Sequence, residues 1–216
     1  MDATADVEWL VVVIKREFSS FPEQAEIDSI AKTPPAKVID CVLSINRKYD
    51  GFVVPRVKEF IARHSDIIDL VGLKKLILSY PTLLDFLVQE LNYNHKDRAE
   101  ILYGVVEYLL AIQGHCVGKT ESERLHEWAV KVQPRAYRDV NVKGFGLAGF
   151  QYLRILFGAQ TTKPDIHIMN FITAAIGRKV DPEDAIVLIE SAAKKMKISV
   201  RTIDAAIWIR MSSGSE

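Results

Sequence analysis

The chain has 216 residues, 49% of them apolar, and 28 basic side chains balanced by 28 acidic ones. A chain of this size buries a substantial core without staples. Zero net charge argues against a protein that coats nucleic acid indiscriminately, while leaving room for a local basic patch. Cys41 and Cys116 both lie in apolar stretches and suit free thiols rather than a disulfide framework. The acidic opening from Met1 to Glu8 is unlike a signal peptide. Apolar runs such as Trp9 to Ile14 fall far short of the about 20 residues a bilayer span needs. The expectation is a soluble, cytoplasmic chain with no membrane partner.

In chain order, Val7, Leu10, Val11 and Ile14 make one face of a first helix. Thr33 before Pro34 and Pro35 opens a second, carrying Val38, Ile39, Val42 and Ile45. Leu73, Leu76, Ile77 and Tyr80 form a stripe closed by Pro81, and Thr82 caps a helix with Leu83, Leu84, Leu87, Val88 and Leu91. Arg98 to Gln113 is apolar on more than one side and predicts a central helix ending at Gly114. Leu125, Trp128, Ala129 and Val132 make a further one. Asp181-Pro182 starts a helix through Lys197, and Ser199 another through about Arg210. Alternating strand patterns and hairpin turn pairs are nearly absent, so the class is all-α.

Residues 135 to 176 stand apart. Pro134 to Val140 forms a short helix, followed by Asn141-Val142-Lys143-Gly144-Phe145-Gly146 and a second helix from Leu147 to Phe157, stopped by Gly158. Two glycines around one apolar residue allow a tight turn and bare the N–H groups of a helix start, where free N–H groups and the dipole favour an anion. Lys131 to Lys163 holds six basic residues (Lys131, Arg135, Arg138, Lys143, Arg154, Lys163) and one acid, Asp139. The plain alternative is a close-packed helical hairpin with solvated charges. After the loop, Pro164-Asp165-Ile166-His167-Ile168 opens a helix that ends at Gly177.

The unit Val-Lys-Gly-Phe-Gly-Leu-Ala-Gly-Phe, a helix, then Lys-Pro-Asp-Ile-His-Ile resembles the core of the helix-hairpin-helix DNA glycosylase superfamily, which includes endonuclease III and the adenine and alkylpurine glycosylases. Gly144 and Gly146 match the hairpin glycines of that group, Asp165 its aspartate and His167 the common histidine. Upstream, Cys41-Val42-Leu43-Ser44-Ile45-Asn46 resembles its helix-end segment Leu-Ser-x-Gln, and Asn46 matches a position that enters the DNA stack in some members. The resemblance spans about Lys37 to Arg210.

It implies a two-subdomain helical fold with a cleft between them: one subdomain of about 37–157, the other of about 1–36 plus 158–216. It also implies double-stranded DNA as partner, with Lys143, Gly144, Phe145, Gly146 and Asn46 binding it and Asp165 as catalytic carboxylate. The lysine that lets relatives nick the strand is absent: Ala148 stands there, pointing to a monofunctional glycosylase. The usual hairpin proline is Lys143. No cysteine follows Cys116, so no iron–sulfur cluster and no other cofactor is expected.

Rival readings stand beside these. Aspartate at a helix start is a preferred N-cap without any chemistry, and His167 can simply pack. Tyr49, Tyr152, Trp128 and Trp208 can stack on a flipped base or fill a core. Gly114 to Thr120 is one residue short of a P-loop and follows a helix; His126-Glu127 lacks the second histidine of a zinc helix. The alternatives to a glycosylase are a non-catalytic DNA reader and a helical interaction module. Neither the recognised base nor the oligomeric state is legible.

Overall fold

A computed structural model describes residues 3–23 and 29–213. Among them every regular element is helical and no strand occurs, so the fold is all-α. The chain divides into two compact units: a split unit, Met1–Asp28 with Gln160–Glu216, and an inserted unit, Ser29–Ala159.

The inserted unit begins with α2 (Pro34–Leu43); α1 belongs to the split unit. Thr33 caps α2 by accepting the Ala36 N–H at 3.4 Å, and the two prolines sit where no N–H partner is needed. Almost every α2 residue is buried, Asp40 included. A π-helical turn (Tyr49–Val53) leads into α3 (Val54–Arg63), then α4 (Leu70–Leu78) and α5 (Leu83–Leu91). The long α6 (Lys96–Ile112) is central, with Ile101, Leu102, Val105, Val106 and Leu109 buried against α2, α4 and α5. Each such Leu or Ile contributes about 2 kcal/mol.

A 3-10 turn (Gln113–His115) precedes α7 (Glu121–Lys131), whose start is a capping box between Thr120 and Glu123. Trp128 of α7 meets Tyr108, Phe150 and Phe157 edge-on, with ring centroids 6.0, 5.7 and 6.3 Å away. A 3-10 helix (Pro134–Val140) and α8 (Leu147–Leu156) complete this unit. The short helix expected from Pro134 to Val140 is a 3-10 helix. The Cys41 thiol of α2 donates to the Gly149 carbonyl of α8 at 3.3 Å.

The split unit packs α1 (Ala3–Glu17) against α9 (Ile166–Ile176) and α10 (Pro182–Met196), with α11 (Val200–Ser213) on α9 and α10. Its core is Leu10, Val11, Ile14, Ile168, Phe171, Ile172, Ala185, Leu188, Ile189, Ile203 and Ile207 with smaller neighbours. Trp9 is half exposed and fixes its ring by donating Nε1–H to the Ala175 carbonyl at 2.7 Å. Gly177 ends α9 in the left-handed region, at φ 77°. No helix is long and apolar enough to cross a membrane among the described residues.

Candidate nucleic-acid hairpin and carboxylate site

The hairpin is built from the inserted unit outward. Asn141 takes left-handed geometry, φ 50°, and turns the chain out of the 3-10 helix. Val142 packs on Gly104 of α6, where an added Cβ would lie 2.6 Å from Val142 Cγ2. Lys143 and Gly144 form the exposed turn. Gly144 sits at φ 85°, and a Cβ there would meet Ile101 Cδ1 at 3.1 Å, so glycine is demanded by backbone and space together. Phe145 closes the turn, its N–H donating to the Val142 carbonyl at 3.0 Å, and its ring is buried. The ring packs on Gly149, where a Cβ would lie 2.9 Å from it.

Gly146 differs from the other glycines of the hairpin. Its φ is −96° and its ψ −173°, ordinary extended backbone, and a Cβ there would meet nothing within 4 Å. Neither strain nor packing demands glycine. It opens α8 without a side-chain cap. The first-turn N–H groups of α8 therefore lack an acceptor from the cap position, and glycine puts no side chain beside them.

Asn46 follows α2 on the same unit, exposed and left-handed at φ 55°. Arg98 of α6 donates to the Ile45 carbonyl at 3.1 Å. Ile101, three residues along α6, is the residue pressed on Gly144. The first turns of α6 thereby support both the Asn46 turn and the hairpin. Arg47 lies 5.6 Å from the Phe52 ring centroid and 5.4 Å from that of Tyr93, giving a cation and aromatic faces beside Asn46.

The basic run is less concentrated than its sequence count suggests. Arg154 is buried and donates to the Ala129 carbonyl at 3.0 Å and the Gln151 side chain at 2.6 Å. Lys131 pairs with Glu127 at 2.7 Å. Lys163 belongs to the split unit. Lys143, which is exposed, is the cation at the hairpin turn itself.

Asp165 lies in the split unit as the N-cap of α9. Its Oδ1 accepts the N–H groups of His167 and Ile168 at 3.0 and 3.3 Å, while Oδ2 is 3.4 Å from Lys163 Nζ. The cap reading and the carboxylate reading thus use different oxygens. His167 makes an edge-on contact with Trp208, centroids 6.4 Å apart. Tyr49 and Tyr152 both donate to Asp40, at 2.8 Å each, and Trp128 fills the core.

A second carboxyl joins the site that the sequence reading passed over. Asp204 of α11 accepts the Thr162 hydroxyl, and the Lys163 N–H at 2.9 Å, on one oxygen. Burial pushes the Asp204 carboxyl up to about 6 against these two donors, and the negative charge of Asp165 adds to the rise. Its signal was present: Asp204 is the lone charge in the run Ile203 to Ile209. Among the described residues no cluster of His, Cys, Asp and Glu could hold a metal ion.

No curated protein and no solved structure matches the chain. A family model described as Domain of unknown function (DUF8548) matches residues 22–212. That match takes in most of both units, and the chain belongs to this family.

Proposed function

We propose that this chain binds double-stranded DNA through the Lys143–Gly146 hairpin and is a monofunctional DNA glycosylase with Asp165 as its carboxylate. The observation that carries the reading is Gly146, a glycine required by neither backbone nor packing at an uncapped helix start beside an exposed lysine. A phosphate approaching that start finds free N–H groups and the Lys143 ammonium, with no side chain in the way. Asn46 and Arg47, supported by the same end of α6, offer further polar and cationic contact to the duplex.

The resemblance to helix-hairpin-helix glycosylases supplies the chemistry. The target nucleotide leaves the stack, which costs a few kcal/mol and is easiest for a damaged or mismatched base. As the glycosidic bond breaks, its electron pair leaves with the base nitrogen, which takes up a proton from solvent, and positive charge develops at the sugar carbon. Asp165, with Oδ2 outside the cap, would stabilise that charge and receive the proton of the attacking water. Ala148 in place of the strand-nicking lysine limits the product to an abasic site. Non-catalytic DNA reading is the second interpretation, favoured by the complete N-cap that Asp165 Oδ1 makes.

The test is base release from duplexes carrying uracil, hypoxanthine, alkylated purines, oxidised guanine or a G·T mismatch, with abasic sites revealed by hot alkali. Release by the wild type and its loss in Asp165→Asn is the expected result. Salt-sensitive binding without release by either protein would favour the reader, and no duplex binding at all would sink both.

A further inference from the structure

We propose that Asp204 is a positioning residue for Asp165, gripping the Thr162–Lys163 strap so that Lys163 meets the Asp165 carboxylate; its catalytic consequence rests on the glycosylase reading. Four contacts make the case. One Asp204 oxygen accepts both the buried Thr162 hydroxyl and the Lys163 backbone N–H, the latter at 2.9 Å. The same Lys163 extends its ammonium to within 3.4 Å of Asp165 Oδ2. Its carbonyl accepts the Asp165 N–H at 2.7 Å, which closes the strap onto the helix start. Lys163 is therefore held at its backbone by one carboxylate and offers its charge to the other.

The arrangement exceeds what capping α9 requires. Asp165 Oδ1 already caps the helix with two N–H bonds, and none of them involves Asp204 or Lys163. Nor does holding the strap need a carboxyl, since a neutral amide oxygen would accept the same two donors without burying a charge. The charged groups that act on Asp204 are Asp165 from the start of α9 and Lys163 from the strap, with Thr162 as a neutral donor. When Asp204 ionises, the Lys163–Asp165 pair gains one negative neighbour, which favours a cationic sugar. Burial sets that ionisation near 6 rather than in the usual aspartate range.

Two measurements on the whole chain test this. The first follows the Asp204 carboxyl carbon by NMR across pH. Its midpoint is expected near 6 in the wild type, lower in Asp165→Asn and higher in Lys163→Met. A midpoint in the ordinary aspartate range, or one that neither variant moves while both remain folded by circular dichroism, would overturn the proposal. The second is the pH profile of single-turnover base release. Asp204→Asn keeps an acceptor oxygen but removes the charge, and is expected to slow release at neutral pH roughly ten- to a hundredfold, the scale seen when an outer-shell partner of a metal ligand is lost. It should also abolish the acidic limb, which Asp204→Glu should retain. A profile in Asp204→Asn that parallels the wild type counts against the idea even if the rate falls. If the wild type releases no base from any duplex, the glycosylase reading fails and the NMR midpoints alone decide the coupling.

Discussion

Asp40 sits with no exposed surface in α2, and three hydroxyls converge on it: Ser29 and Tyr49 on Oδ2 at 2.9 and 2.8 Å, Tyr152 on Oδ1 at 2.8 Å. Burial and the Asp40 charge raise both tyrosines above their ordinary range, so they stay neutral donors. Asp40→Ala removes the acceptor that all three hydroxyls share inside the core, which should cost about 3 kcal/mol in urea unfolding. A loss below about 1 kcal/mol would contradict this account. Asp204 carries a pH signature at lower pH. Its folded-state value is raised to about 6, so between the unfolded value of about 4 and that value the folded state binds the extra proton. The stability it confers is complete below about 4 and is lost as pH rises through about 6. Asp204→Asn should flatten this fall, measured as the difference between wild-type and variant unfolding free energies across that window.

At the scale of one element, the Lys143–Gly146 turn separates a glycine that backbone and space demand from one that they do not. Gly144→Ala meets a left-handed backbone and Ile101 at 3.1 Å, and should destabilise by about 1 kcal/mol or more. Gly146→Ala meets neither, and its stability should stay within about 0.5 kcal/mol of wild type or improve. Gly146→Val should keep the fold yet weaken duplex binding, because a branched side chain stands where a phosphate must approach. Unchanged affinity in Gly146→Val would remove the main support for the DNA reading. Lys143→Glu should weaken binding to all sequences alike and reduce the slope of log K against log salt by about 1. Fluorescence anisotropy at several salt concentrations reads both effects.

For the whole molecule, the order of the chain and the order of the cores differ. The inserted unit is one continuous segment with its own aromatic and aliphatic core, whereas the split unit needs both ends of the chain. Residues 29–159 expressed alone should therefore fold to a helical, cooperatively melting domain, and residues 160–216 alone should not. Circular dichroism of the two fragments decides it. A random-coil spectrum for 29–159 would mean that this core is insufficient by itself.

By itself the sequence determined the helical class and most helix limits, because apolar spacing, Thr33 and Thr82 caps, prolines and terminal glycines act over a few residues. The Gly-Phe-Gly turn and the Asp165 N-cap carry local signals too. Other features had no local signal, or misled. The helix from Val54 to Arg63 passed unread, and the basic run read as one patch, although Arg154 turns inward and Lys163 belongs to the other unit. Only the tertiary structure decided which glycine is free of steric demand, that Asn46 and Gly144 share support from α6, and that Asp204 reaches the strap beside Asp165. Those relations join residues about 40 or more positions apart, and chain folding sets such distances where helical periodicity cannot.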